Sequence, residues 1–318
     1  MERSGIAESK GGAVKILVTG GAGFIGSHVV DAYVGAGHQV VVVDSLATGR
    51  RERVNPAAQF YPLDIRSPEL RDVFERERPD VVNHHAAQAS VIASINDPRT
   101  DAEVNALGTL NLCNLCVGFG VRRLVFASTG GAIYGNPQHI PADEQHPTTP
   151  LSPYGIHKLV GEHYVRYFGS TGMTWAILRY ANVYGPRQDP FGEAGVVAIF
   201  TRALLDRKAP TIFGDGKQTR DFIFVEDVAR ANLLAATVPT SDLANIATGA
   251  ETSVNEIFRH LAELTGFHGT PVYAAARPGE VYRIALNPAH VKQWLRWMPQ
   301  TGLVDGLRTT VEWFRERR

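Results

Sequence analysis

The chain has 318 residues, 44% hydrophobic and 20% charged, with 32 basic and 32 acidic side chains and a net charge of zero. That length supports a large core, as one big domain or two coupled ones. The charge balance, broken only by short pieces such as Arg315-Glu316-Arg317-Arg318, argues against a nucleic-acid or anionic-membrane partner.

No apolar run approaches the ~20 residues of a membrane helix. Residues 1–14 carry Glu2, Arg3, Glu8 and Lys10 without an apolar stretch; they read as a disordered leader and not as a secretory signal. From Lys15 the pattern becomes ordered. The apolar run Ile16-Leu17-Val18 leads into Thr19-Gly20-Gly21-Ala22-Gly23-Phe24-Ile25-Gly26, and Val40–Val43 is a second apolar run that stops at Asp44. This is a buried strand, a glycine-rich turn, a helix and a second buried strand. Gly20, Gly23 and Gly26 allow a tight turn and close backbone approach to a pyrophosphate. The helix beginning near Gly23 presents the free N–H groups of Phe24, Ile25 and Gly26, and its positive end, to phosphates. Asp44 stands where an acid accepts hydrogen bonds from the adenosine ribose, so the reading is NAD and not NADP, although Arg50 and Arg51 lie nearby.

Strand and helix then alternate to about residue 180, the pattern of a parallel sheet with helices on both faces. Gln59-Phe60-Tyr61 is a short strand leading to Asp64-Ile65, and Ser67-Pro68 opens a helix running to about Glu77. Val81-Val82 begins a fourth strand that leads into Asn83-His84-His85-Ala86-Ala87-Gln88. A helix over 99–118 follows. It contains Cys113 and Cys116, whose i, i+3 spacing in mid-helix suits two buried small residues better than a redox or zinc pair. Free thiols suit a reducing cytoplasm. Strand Leu124-Val125-Phe126 ends at Ser128-Thr129-Gly130-Gly131. After a proline-rich loop (137–153), Tyr154 and Lys158 share one face of a helix. Strand Thr174–Arg179 leads into Tyr180-Ala181-Asn182-Val183-Tyr184-Gly185. Beyond it the rhythm loosens, with short strands at 211–213, 222–225 and 245–247 and a capping box Ser253-x-x-Glu256 opening a helix.

Taken together, the glycine-rich turn, Asp64, Asn105, Ser128-Thr129, Tyr154-x-x-x-Lys158, Arg179–Pro186 and Gly214-Asp215-Gly216…Arg220-Asp221 resemble the extended short-chain dehydrogenase/reductase superfamily. Within it the chain is similar to nucleotide-sugar epimerases. The nearest resemblance is to UDP-glucose 4-epimerases of the bacterial and archaeal type that carry Ser-Thr-Gly-Gly-Ala-Ile-Tyr-Gly, here residues 128–135. The resemblance implies an α/β fold with a Rossmann-type doubly wound parallel sheet over 15–182. A smaller C-terminal α+β substrate domain takes most of 183–318, and segments near 222–247 return to the first domain. It also implies a homodimer formed through helices near 99–118 and 152–170.

Oxidising and re-reducing a carbinol carbon needs a base for the hydroxyl proton and a hydride acceptor. A tyrosine titrates near ~10 and needs a cation to act as a base, which Lys158 can supply one turn along. By the resemblance, Tyr154 takes the 4-OH proton, Thr129 bonds the sugar oxygen with Ser128 beside it, and NAD carries the hydride out and back. Asp64 and Ile65 flank the adenine, and Asn105 holds the loop behind the nicotinamide. Ala86, Ala87, Gln88, Ser128, Tyr180 and Val183 complete the cofactor site. Asn182, Arg220 and Arg277 grip the sugar-nucleotide diphosphate, Val196, Ile212 and Phe213 form a shelf for uracil and ribose, and Glu280 accepts from a ribose hydroxyl. The hydride chemistry needs no metal. Asn83, His85 and Phe222 depart from the usual pattern, which is apolar, apolar and tyrosine at those places. Interconversion of UDP-galactose and UDP-glucose is the expectation, with UDP-glucuronate or a UDP-N-acetylhexosamine as the alternative sugar. Dehydratases and decarboxylases want an acid after the threonine, where this chain has Gly130-Gly131. An alternative of another class is a non-catalytic NAD-sensing protein.

Overall fold

The computed structural model describes residues 12–191, 195–276 and 281–317. Six strands alternate with helices: β1 Lys15–Thr19, β2 Gln39–Val43, β3 Gln59–Tyr61, β4 Val81–His84, β5 Arg123–Thr129 and β6 Thr174–Tyr180. Strand Asp242–Ile246 returns to the free edge of β6 and completes a seven-stranded sheet. Every neighbouring pair in it is parallel. From β1 the order runs outward through β2 to β3, then crosses back to β4, β5 and β6 on the other side. The reversal between β1 and β4 opens a crevice at the carboxyl ends of the strands, where such folds bind ligands.

The continuous apolar runs of the sequence are explained by burial on both faces. Alternate residues of one strand enter different cores. Ile16, Val18, Val40 and Val42 join a cluster with Val29, Val30 and Tyr33 of helix Phe24–Gly35 and Val228, Ala231 and Ala235 of helix Val225–Thr237. Leu17, Val41 and Val43 join the opposite cluster, with Leu70 and Phe74 of helix Leu70–Glu77 and Leu112 and Cys113 of helix Gly108–Gly118. A third cluster holds the C-terminal part, packing helices Val196–Leu205, Val254–Thr265 and Leu303–Glu316.

Cys113 and Cys116 are free thiols with no exposed surface. Burial pushes Cys113 up to about 12 and Cys116 upward as well, so neither is poised for redox chemistry.

Several boundaries differ from expectation for local reasons. The helix expected from Ser67-Pro68 starts at Leu70, because Leu70 and Arg71 bond back to Ser67 and Pro68 in tight three-residue turns. The stretch expected as one helix over 99–118 is three segments: Pro98–Asp101, a π-helical turn Ala102–Leu107, and Gly108–Gly118. The strand expected at 245–247 spans Asp242–Ile246, and Val225 already belongs to the helix after Phe222–Phe224. The expected capping box forms, and a second cap stands at Ser152. Ser253 and Glu256 make the reciprocal box, and Ser152 accepts from Gly155 N at 3.2 Å with Pro153 at the first turn of helix Pro153–Gly169. Among the described residues no helix is long and apolar enough to cross a membrane.

Candidate active site

The glycine-rich turn lies at the β1 end of the crevice. Gly20 has φ +71°, and a Cβ there would sit 2.5 Å from Ala86 N; at Gly26 it would sit 2.2 Å from Gly20 O. The turn therefore packs backbone on backbone, which brings β1, the helix and the strand end after β4 together. Gly23 caps helix Phe24–Gly35 without a side-chain bond, and no acid stands in the first turn. The positive helix end and the N–H groups of Phe24, Ile25 and Gly26 face an anion without internal competition. Asp44 accepts from Ala22 N at 2.9 Å and Leu46 N at 2.8 Å, so it clamps the turn to the end of β2 and keeps lone pairs for a further donor. Glycines that a Cβ would block, an open helix end and a strand-end acid fit a dinucleotide.

The polar residues after β4 divide into frame and crevice. His84 is buried between Thr19 Oγ1 at 2.7 Å and Thr109 Oγ1 at 3.0 Å. Thr19 already accepts from Ala86 N, and Thr109 donates to Asn105 O. Counting protons, Thr19 donates to His84 Nδ1 and the imidazole donates from Nε2, a neutral ring. Burial agrees, holding its pKa well below the ordinary value. Asn83, one of the two unexpected polar residues, donates inward to Tyr33 Oη at 2.7 Å and Asn232 Oδ1 at 2.9 Å. His85, the other, stacks on Tyr180 and bonds its hydroxyl at 3.1 Å. Both side chains thus join a protein network with Tyr180 and Asn232. Asn105 grips Gln88 through both backbone groups, each at 2.9 Å. Ala86 and Ala87 are half-buried between these anchors.

After β3, Asp64 is engaged by Arg66 through both oxygens, at 2.9 and 2.8 Å, which holds its carboxyl below the usual range. The Ile65 side chain is buried in the sheet-face core, and its carbonyl accepts from Asn111.

β5 delivers Ser128 and Thr129 to opposite faces, as consecutive strand residues must be. The Ser128 hydroxyl donates to Glu162 at 2.6 Å. The Thr129 hydroxyl lies beside the Tyr154 phenol, where it favours the ionised form. Tyr154 is the second residue of helix Pro153–Gly169, and Lys158 lies one turn on, 4% exposed, its Nζ 4.4 Å from the Phe126 ring centre. Burial pushes Tyr154 up to about 12, opposed by the neighbouring Thr129 hydroxyl; burial pulls Lys158 down to about 8, opposed by the Glu162 and Asp101 carboxylates. Glu162 is itself held by Arg179 at 2.9 and 2.7 Å in a buried bidentate pair. Sequence reading missed Glu162, although it stands four residues beyond Lys158 on the same helix face.

The substrate-side candidates are scattered along the C-terminal part. Asn182 and Val183 lie in strand Asn182–Tyr184, paired with Phe222–Phe224, so Phe222 neighbours Asn182. Its ring is buried edge-on against Tyr184. Val196 starts its helix, half-buried. In strand Thr211–Phe213 the alternation puts Phe213 half-exposed, whereas Ile212 is packed into the third core at 1% exposure. Arg220 bonds the carbonyls of Thr219 and Tyr282 at 2.8 and 3.4 Å. Arg277 and Glu280 lie outside the described residues. Asp221, quoted only as part of a motif, proves to be a buried clamp accepting from Thr248, Gly249 and Leu286. At Gly130 a Cβ would sit 2.2 Å from Leu286 Cδ1, so a side chain there would require Leu286 to move. A groove of about 890 Å³, lined by His28, Asp31, Arg187, Glu226 and Trp313 among others, contains none of these residues.

Residues 16–247 match the model of the NAD dependent epimerase/dehydratase family. The solved UDP-glucose 4-epimerase of Thermotoga maritima, with UDP-glucose, is 47% identical and superposes with a TM-score of 0.94 over 95% of this chain and 99% of that one. That of Thermus thermophilus, in complex with NAD, is 45% identical with a TM-score of 0.90 over 95% and 99%. A UDP-glucose 4-epimerase of Mycolicibacterium smegmatis is 40% identical over 96% of this chain and 99% of its own length.

Proposed function

The chain belongs to the NAD dependent epimerase/dehydratase family, and from that premise we propose that it is a UDP-glucose 4-epimerase, interconverting UDP-galactose and UDP-glucose through a 4-keto sugar. The observation that carries this reading is the set at the end of β5: a threonine hydroxyl beside the Tyr154 phenol, with a buried lysine one turn along. Gly20, Gly23, Gly26 and Asp44 hold the NAD pyrophosphate and adenosine ribose, with Asp64, Ile65, Ala86, Ala87, Gln88, Asn105, Ser128, Tyr180 and Val183 around the rest of it. NAD supplies the acceptor that takes the C4 hydride and gives it back.

The chain's own part is proton handling and orientation. Tyr154 removes the 4-OH proton and later returns it. Thr129 fixes that oxygen, and the Lys158 cation favours the phenolate against the upward push of burial. Asn182, Arg220, Arg277, Glu280, Val196, Ile212 and Phe213 hold the UDP moiety. Residues 15–182 are mainly the cofactor half and 183–318 mainly the sugar-nucleotide half. The chain works as a homodimer in galactose metabolism of a reducing cytoplasm, supported by the free buried thiols and by apolar residues left outward on two helices, Leu107 at 54% and Ile156 at 47% exposure.

The test is to incubate purified protein separately with UDP-galactose, UDP-glucuronate and UDP-N-acetylglucosamine and resolve the products by NMR. UDP-galactose should convert to UDP-glucose without added cofactor. Tyr154→Phe should lower kcat by at least about 10³-fold with the fold intact. Turnover of glucuronate alone would replace the sugar, and no turnover with NAD bound would overturn the enzyme.

A further inference from the structure

One buried carboxylate joins three elements around the proposed site. Asp101 has no exposed surface. Its Oδ1 accepts from Gln88 Nε2 at 2.7 Å and Asn105 Nδ2 at 2.9 Å, and its Oδ2 meets His157 Nδ1 at 2.5 Å. Gln88 belongs to the loop after β4, Asn105 to the π-helical turn, and His157 to helix Pro153–Gly169, directly before Lys158. Asn105 closes the ring by holding Gln88 through its backbone N–H and C=O. The helical register widens between Ala102 and Leu107, just after Asp101, and such π turns recur at functional sites.

A buried carboxylate left without donors would be costly, and here every donor comes from an element that also carries a proposed site residue. We propose that Asp101 and His157 form a positioning latch that fixes the strand-end loop carrying Ala86–Gln88 against the helix carrying Tyr154 and Lys158. The proposal rests on the epimerase reading and adds two positioning residues to it. Neither touches the reacting atoms. They set the separation between the loop that would back the nicotinamide and the phenol that would take the proton. Displacement of about 1 Å at such a place costs on the order of 10²-fold in rate.

The experiment compares His157→Leu, His157→Gln and Asp101→Asn with the unaltered protein. A glutamine amide can still donate to Asp101, whereas leucine cannot. For His157→Leu and Asp101→Asn, kcat should fall about 10- to 100-fold with KM for the UDP-sugar within about twofold, and the NAD recovered by acid extraction after gel filtration should fall. His157→Gln should restore both readings to at least half of the unaltered values. Unchanged kcat and NAD content in His157→Leu would overturn the latch. So would equal loss in the Gln and Leu variants together with a matching drop in melting temperature, which marks a pair that only stabilises the fold. Extracted NAD is measured without any sugar, so it tests the latch even where the unaltered protein fails to turn over the offered sugars and the epimerase reading falls.

Discussion

Tyr154 and Lys158 are drawn in opposite directions by one cause: burial pushes the phenol up to about 12 and the ammonium down to about 8. A base and its cation therefore need help to ionise together, and the carboxylates of Glu162 and Asp101 give it to the lysine while Thr129 gives it to the tyrosine. Such tuning depends on sub-ångström placement, and so does the glycine-rich turn. A Cβ at Gly26 would lie 2.2 Å from a backbone oxygen that cannot rotate away. Gly26→Ala should displace the turn and strip the cofactor, leaving extracted NAD at less than about a tenth of the unaltered content, an effect of at least about 1.4 kcal/mol. Full NAD content in that variant would show that the turn yields without losing its ligand.

At the scale of elements, the helices at 102–118 and 153–169 each turn one face to the sheet and another outward. The outward face carries Leu107, Val117, Ile156 and Tyr167, all more than a third exposed. Large apolar side chains gathered on neighbouring helices suit a self-complementary partner. If they seat a second copy, Ile156→Arg should convert the species seen by sedimentation from about twice the 34.7 kDa chain mass to that mass. A single-mass species from the unaltered chain would remove the dimer. These helices also show what was legible beforehand. The i, i+4 pairing of Tyr154 with Lys158, the Ser253–Glu256 capping box and the continuous apolar runs of β1 and β2 are local rules, and local rules are written in consecutive residues. The π turn, the Asp101 hub and the Asn83–Tyr33–Asn232 network were not legible. The hub joins Asp101 to Gln88 and His157, 13 and 56 positions away, and the network joins Asn83 to Tyr33 and Asn232, 50 and 149 positions away, so no short window of sequence contains both partners of those bonds. The burial of Ile212 has the same origin: a strand's alternation is visible, but which face meets a core is decided by helices elsewhere.

For the molecule as a whole, buried neutral histidines set the response to acid. His28, on the first helix, bonds the Pro186 carbonyl at 3.0 Å and so ties the cofactor half to the segment that follows β6. Burial, with Arg187 beside it, lowers its pKa from 6.5 to about 4, and burial lowers His85 to about 3. Between pH 6.5 and about 4 the unfolded chain takes up a proton that folded His28 refuses. Stability is therefore complete above pH 6.5 and is lost as the pH falls toward 4. Between pH 7 and 5 that one group removes about 2 kcal/mol. Urea unfolding at the two pH values should show the unaltered protein losing about 2 kcal/mol more than His28→Gln, whose amide keeps a donor for Pro186 but cannot charge. Equal losses in the two proteins would mean that His28 is not what makes the fold acid-sensitive, and would shift that role to His84, buried at the end of β4, whose charging would break the relay between β1 and the π-helical turn.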